Sequence, residues 1–223
     1  MSGSANQLRG VAAADGGECG KHRDHSRNAS VAAEGLARVA VPGRMQRVER
    51  GQPFLAVVDY AHKPAAVAAL LDALRPQVAG RLLVVLGAGG DRDRAKRPLM
   101  CAAAAAGAEL LVVTDDNPRS EDPAAIRAEV LAGARAEPRR GEVREIGDRA
   151  EAIAAAVAAA RPGDAVVVAG KGHETGQKIG DVTLPFDDAQ QLAAAIAATV
   201  TTGETTTGER PSVGTPNPGR VPG

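Results

Sequence analysis

The sequence predicts an α/β fold, a doubly wound and mostly parallel sheet with helices on both faces. Three observations carry that prediction. Four short continuous apolar runs, at 54–58, 82–86, 110–114 and 165–169, read as strands buried on both faces. The first three are each followed directly by a helical segment and the fourth by a short ribbon and then a helix, so that strand signals alternate with helix signals along the chain. Finally, a chain of 223 residues with 44% hydrophobic residues can bury a core, and with no Trp and only Phe54, Tyr60 and Phe186 as aromatics that core is Ala, Val and Leu. Small side chains suit close helix-on-sheet packing.

Phe54 to Val58 is the first strand, and the helix after it carries Val67, Leu70, Leu71 and Leu74, with Pro64 near its start and Pro76 beyond its end. Leu82 to Leu86 is the second strand, followed by a glycine loop and a helix entered through Pro98 and closed by Gly107. Leu110 to Thr114 is the third, and its helix starts at Asp122-Pro123, carries Ile126 and Val130, and is expected to stop near Gly133. A weaker strand at Val143 to Ile146 leads into Asp148-Arg149-Ala150-Glu151, a capping box opening a helix with Ile153 and Val157 that Pro162-Gly163 ends. Ala165 to Ala169, a short ribbon around Ile179 to Leu184, and a last helix capped by Asp187 with Gln190 three residues on complete the pattern.

The ends differ. Residues 1–32 are polar, Gly-rich and aperiodic and read as disordered or non-native sequence, and the Thr/Gly/Pro tail of 200–223 reads as disordered too. Lys plus Arg and Asp plus Glu each total 27, so no global field draws the chain to nucleic acid or an anionic membrane. No apolar stretch approaches a membrane span and no secretory leader is visible, which makes the cytoplasm the expected compartment. Cys19 and Cys101 form no disulfide framework, and Cys101 is expected to be a buried thiol in an Ala-rich helix. Cys19, His22 and His25 have a metal-compatible spacing but no fourth ligand nearby and no hydrophobic frame, so no metal is assigned.

Polar motifs close the strands, where open α/β sheets bind ligands. Asp59-Tyr60-Ala61-His62 ends the first; an Asp and a His there suit phosphate, ribose or a metal-bound water, against the plainer reading of a helix cap with a hydrogen-bonded His. Gly87-Ala88-Gly89-Gly90-Asp91-Arg92-Asp93 follows the second strand, but Arg92 stands where a dinucleotide fingerprint needs glycine, which disfavours a nicotinamide cofactor. Its glycines read equally well as a tight turn, whereas Arg92 is a candidate anion ligand. Neither Gly-Lys pair is followed by Ser or Thr, so the chain has no P-loop with which to bind and activate ATP alone. Asp116-Asn117-Pro118-Arg119 and Gly170-Lys171-Gly172-His173-Glu174 close two further strands. Asn117-Pro118 is also readable as an ordinary turn, and His173-Glu174 as solvated polar residues, while a glycine on each side of Lys171 points to close backbone approach. An Arg suits a carboxylate and a Glu an ammonium, so an amino acid is the simplest ligand for these motifs together.

In this order, with Gly43-Arg44-Met45 ahead of them, these motifs resemble the C-terminal domain of the Mur ligases, over about Ala33 to Thr199. The domain division that follows is 33–50 as a remnant of a central domain and linker and 51–199 as a Rossmann-like C-terminal domain. Asp-Asn-Pro-Arg is the family's diaminopimelate-recognition motif. The resemblance therefore implies an ATP-dependent ligase of peptidoglycan synthesis that adds meso-diaminopimelate to UDP-MurNAc-L-Ala-D-Glu, rather than a lysine-adding relative. In that family ATP phosphorylates the acceptor carboxylate and the incoming amine attacks the acyl phosphate.

By the same resemblance Arg92, Asp116, Asn117, Pro118, Arg119, Gly170 and Glu174 hold diaminopimelate, with Gly170 offering its backbone, and Arg44, Asp59 and His62 approach the nucleotide. ATP and Mg2+ would be held mainly by a central domain, and the UDP-sugar by an N-terminal domain, neither of which this sequence contains. The chain is thus expected to lack a complete catalytic set and to need those domains in trans. Two rivals follow: a non-catalytic module binding diaminopimelate or a muropeptide, and a domain of a folylpolyglutamate or cyanophycin type ligase.

Overall fold

The computed structural model describes residues 41–138 and 141–204, the last five as backbone only. Within them a six-stranded sheet has the order β1-β2-β6-β3-β4-β5. β1 (Gln46–Arg47) pairs antiparallel with β2 (Leu55–Asp59). β2, β6 (Ala165–Ala169), β3 (Leu82–Ala88), β4 (Leu110–Asp115) and β5 (Glu142–Glu145) are parallel neighbours, with Val57 opposite Val167, Val84 opposite Val167 and Val85 opposite Val112. The doubly wound α/β fold expected from the apolar runs is the observed one.

Both faces of the sheet are covered, which is why the central strands β2, β6, β3 and β4 are nearly continuous apolar runs, whereas the edge strands β1 and β5 carry polar residues. Helices α1 (Pro64–Leu74), α2 (Lys96–Gly107) and α3 (Pro123–Ala136) pack on one face. There Val67, Leu71, Met100, Cys101, Ile126 and Val130 meet Val57, Val84, Leu86, Leu111 and Val167. Helices α4 (Arg149–Ala159) and α5 (Asp188–Glu204) cover the other, where Ile153, Val157, Leu192 and Ile196 meet Val58, Leu83, Val85, Val112 and Val168. Alternate residues of one strand thus feed two cores. The Cys101 thiol is buried, and loss of solvent pushes its pKa up to about 11.

Local signals account for most boundaries. Asp122 accepts from the Ala124 amide at 3.0 Å, Asp148 from Glu151 at 2.9 Å and Asp187 from Gln190 at 2.9 Å, capping α3, α4 and α5. The ribbon is a hairpin of β7 (Gly176–Ile179) and β8 (Val182–Pro185), turned by Gly180 at φ 56°.

Two boundaries differ from expectation. Gly133 does not stop α3, which runs on to Ala136. It is a contact glycine: a Cβ there would lie 1.8 Å from the Pro98 carbonyl oxygen of α2. The backbone of α5 continues to Glu204, into the segment read as tail, where the first proline is Pro211. The Cys19, His22 and His25 cluster, residues 1–40 as a whole and the tail beyond 204 lie outside the described residues.

Candidate functional site

A cleft of about 240 Å³ opens over the carboxyl ends of β2, β6, β3 and β4. Arg92, Asp116, Asn117, Arg119, Gly170 and Glu174 line it together with Tyr60, His62, Lys96 and Met100. Of the seven expected amino-acid ligands only Pro118 is not on its wall. Pro118 instead packs its backbone against the glycine loop, its carbonyl oxygen 1.9 Å from where a Cβ on Gly90 would sit.

That close approach explains the glycine loop. Gly87, Gly89 and Gly90 do not adopt positive φ. A Cβ on Gly87 would lie 2.7 Å from the Thr114 carbonyl oxygen, so both Gly87 and Gly90 are needed for space rather than for turn geometry. The loop and the Asp-Asn-Pro-Arg turn are then tied at several points. The Gly90 amide donates to Asn117 O at 2.8 Å, and Arg119 Nη1 donates to Gly90 O at 2.7 Å. Asp91 accepts from Ser120 Oγ at 2.7 Å, and the Asp91 amide donates to Glu121 Oε1 at 2.6 Å.

Beneath them the fully buried Arg97 donates to Glu121 at 2.7 and 2.9 Å, to Glu129 at 2.8 Å and to Gly89 O at 3.2 Å. The hydrogen bonds from Arg97, followed by the Asp91 amide, hold the Glu121 carboxyl down to about 2. Bonds from Ser120 likewise hold Asp91 below its ordinary value.

The guanidinium of Arg119 spends only Nη1 on the protein, donating to Gly90 O and, at 3.5 Å, to Asn117 O. Its Nε and Nη2 have no partner among the described residues, which leaves a fork for a carboxylate. Its backbone sits at φ 53°, where β7 holds it: the Arg119 amide donates to Lys178 O at 3.0 Å and the Gly180 amide to Arg119 O at 2.7 Å. Arg92 is exposed, with Nη1 on Asp91 O at 3.0 Å.

Asn117 and Glu174, from the ends of β4 and β6, meet through Lys171. Asn117 Oδ1 accepts from Lys171 Nζ at 3.0 Å and from the Lys178 amide at 2.8 Å, which fixes Nδ2 toward Glu174 Oε2 at 2.8 Å. Lys171 Nζ also reaches Glu174 Oε2 at 3.3 Å and Asp116 Oδ1 at 4.0 Å. Both side-chain contacts of Glu174 fall on Oε2, and Oε1 has no partner among the described residues.

The glycines of this loop serve packing as well. A Cβ on Gly172 would lie 2.7 Å from both Gly43 O and Tyr60 Cβ, so the close approach that the sequence suggested is to the Gly43 turn. The Gly170 amide is already committed to Asp59 O at 3.1 Å. Behind the loop the buried Arg149 and Asp188 form a two-pronged pair, both bonds 2.8 Å. Arg149 also donates to Ala169 O at 3.1 Å and Asp115 O at 3.3 Å, bracing the ends of β6 and β4.

A second, wider cleft of about 500 Å³ shares Tyr60 and His62 with the first and adds Arg44, Asp59 and Lys63 over a wall of Ala66, Ala69, Leu70 and Ala73 from α1. The three residues expected near a nucleotide therefore come together. Asp59, however, is not a helix cap, since Lys63 occupies that place without a side-chain bond. Its two oxygens accept from the Met45 and Ala61 amides, each at 2.8 Å, which clamps the turn carrying Arg44 to the end of β2. The Arg44 guanidinium stands 5.4 Å from the Tyr60 ring centroid, and His62 Nδ1 lies 2.9 Å from Tyr60 O.

Sequence reasoning missed Lys171, Lys96, Tyr60, Arg97 and the Arg149–Asp188 pair. Lys171 carried a local signal in its two flanking glycines. The others are ordinary helix or strand-end residues until distant strands are brought beside them.

Residues 43–172 match the family described as Mur ligase, glutamate ligase domain. The UDP-N-acetylmuramoyl-L-alanyl-D-glutamate--2,6-diaminopimelate ligase of Corynebacterium efficiens is 61% identical over 176 residues, covering 77% of this chain and 34% of that protein. The ligase of the same name from Streptomyces coelicolor is 60% identical over 171 residues, covering 75% and 34%. A solved structure of such a ligase superposes with a TM-score of 0.67 at 43% identity, over 76% of this chain and 37% of that one. A murein peptide ligase from Psychrobacter arcticus shares the fold, with a TM-score of 0.53 at 19% identity, over 74% of this chain and 32% of that one. The chain spans about a third of the length of the curated relatives it matches.

Proposed function

Since the chain belongs to the Mur ligase family by its glutamate ligase domain, we propose that it is the amino-acid-binding part of an ATP-dependent ligase joining meso-diaminopimelate to UDP-MurNAc-L-Ala-D-Glu. The observation that carries this reading is the convergence of Arg92, Asn117, Arg119 and Glu174 on one cleft. Meso-diaminopimelate has two carboxylates and two ammonium groups. The free fork of Arg119, the Arg92 guanidinium and the second Nδ2 hydrogen of Asn117 suit its carboxylates, and Glu174 Oε1 suits an ammonium. L-Lysine lacks the second carboxylate and would leave one of the two arginines without a partner.

The chain's own part in the reaction is positioning. A zwitterion fixed at both ends presents its other amine in one direction, and a fixed amine attacks an activated acyl group far faster than a free one. ATP supplies the activation of the acceptor carboxylate, and the second cleft fits one side of a nucleotide. It combines the Arg44 and Lys63 cations with an apolar wall. Asp59 serves that contact through the turn it clamps. Among the described residues no three His, Cys, Asp or Glu side chains cluster as a metal site, so none is given a part in holding Mg2+. The central and UDP-sugar-binding domains would come from outside the residues described, in the same polypeptide or in trans.

Calorimetric titration of the chain with meso-diaminopimelate and L-lysine tests the reading, alongside Arg119→Ala. Diaminopimelate is expected to bind in preference to lysine. Arg119→Ala is expected to weaken that binding at least tenfold, consistent with the about 1.5–3 kcal/mol of a hydrogen bond to a charged group. Equal binding of the two amino acids, or an unaffected variant, would count against it.

A further inference from the structure

We propose that Lys171 is a positioning residue for the amino-acid ligand, an internal ammonium that sets Glu174 and Asn117 in place before the ligand arrives. This rests on the substrate reading above. Lys171 is fully buried, yet the atoms around its Nζ all belong to cleft-lining polar residues: Asn117 Oδ1 at 3.0 Å, Glu174 Oε2 at 3.3 Å and Asp116 Oδ1 at 4.0 Å. An ammonium has three donors and no acceptor, so a buried one needs such neighbours: Asn117 and Glu174 accept from it, and the Asp116 carboxylate adds opposite charge.

The backbone aims it there. Gly170 at φ 115° and Gly172 at φ 56° flank it, and a Cβ on Gly172 would meet the Gly43 turn. The lysine side chain is thereby turned inward from a loop whose other polar residues face the cleft or solvent.

The consequence is preorganisation. Among the described residues the Glu174 carboxylate is held through Oε2 alone, by Lys171 and by Asn117 Nδ2 at 2.8 Å. Lys171 therefore neutralises part of the Glu174 charge and fixes the rotamer in which Oε1 is left for a ligand ammonium. It also helps orient the Asn117 amide so that its donors, not its acceptor, point toward Glu174 and the cleft. A ligand then binds without reorganising either side chain, and that saving appears as affinity.

Two measurements on the full chain test this. The first is titration with meso-diaminopimelate of wild type, Lys171→Met, Glu174→Gln and the double variant. Lys171→Met is expected to bind at least tenfold more weakly, and Glu174→Gln to cost little more in that background. Lys171→Ala should recover part of the loss when ethylammonium chloride is added, which a general loss of structure would not permit. Equal binding by Lys171→Met and wild type overturns the inference and leaves the substrate reading standing. The second measurement, urea unfolding of the same four proteins, needs no ligand. If wild type does not bind diaminopimelate, the substrate reading fails for this chain, and the unfolding midpoints decide whether Lys171 holds Glu174. Non-additive shifts support the coupling and additive shifts overturn it. Should Lys171→Met not fold, Lys171→Gln, which keeps a donor, takes its place in both.

Discussion

Among the described residues three non-glycines hold positive φ, Met45 at 46°, Asp91 at 52° and Arg119 at 53°, and all three sit on loops that border the two clefts. Such backbone costs about 1–3 kcal/mol at each position and persists only where neighbours over-determine it. The neighbours are Asp59 for Met45, Ser120 and Glu121 for Asp91, and Lys178 and Gly180 for Arg119. Glu121 makes this support pH-dependent. Arg97 first, and the Asp91 amide second, bring its carboxyl from 4.5 down to about 2. A depressed carboxyl stabilises the folded state in full above its unfolded pKa and loses that contribution as pH falls through the folded one. The urea midpoint of wild type should therefore exceed that of Glu121→Gln by a constant amount above about pH 4.5. The gap should narrow below that and close near pH 2. A pH-independent gap would show that the ionised form is not what matters.

At the scale of elements, the helices are set by how closely their backbones can approach. Alanine is ordinarily better than glycine inside a helix by about 1 kcal/mol. At Gly133 of α3 the sign should reverse, because the new methyl would lie 1.8 Å from the Pro98 carbonyl oxygen of α2. Gly133→Ala is expected to destabilise by about 1–3 kcal/mol, the usual range for overpacking, read as a lower urea midpoint with unchanged slope. This contact also bears on the clefts. α2 carries Lys96 and Arg97, so a displaced α2 would loosen the tie between the glycine loop and Glu121. The β7–β8 hairpin acts on the site in a parallel way, through the two backbone bonds that hold Arg119.

At the scale of the whole molecule, the site exists because β6 inserts between β2 and β3. The last strand of the sheet to be made thus delivers Gly170 to Glu174 between the loops at 59–62 and 87–93. Arg149 and Asp188 brace that arrangement from below, joining the starts of α4 and α5 to the ends of β4 and β6. Burial works against the Arg149 charge, but Asp188, with the more distant Asp116 and Glu174 carboxylates, outweighs it and raises the guanidinium pKa. Arg149→Ala would leave a fully buried carboxylate without its counter-ion and is expected to cost about 3–5 kcal/mol in urea unfolding. Replacing both partners, Arg149→Met with Asp188→Leu, should recover most of that loss, since a well-packed apolar pair removes the uncompensated charge.

Much of this was legible in the chain itself. Continuous Val and Leu runs determined the four central strands β2, β3, β4 and β6 and that both sheet faces are covered, because a strand buried on both sides leaves no room for polar alternation, whereas the two-residue polar edge strand β1 carried no such signal. Asp122, Asp148 and Asp187 marked helix starts through bonds made within three residues. Arg92, Asn117, Arg119 and Glu174 stood out because they follow strand ends, Arg92 that of β3, Asn117 and Arg119 that of β4, and Glu174 that of β6. Local chemistry could not tell that Gly133 and Gly90 fill contacts with Pro98 and Pro118, that Asp59 clamps a turn, or that Lys171 lies buried against Asn117, 54 residues away. Those facts depend on strand order and on which backbones touch. Only the tertiary structure decides them, because periodicity and capping report a residue's relation to its neighbours in sequence, and burial and pairing report its relation to residues that folding brings beside it.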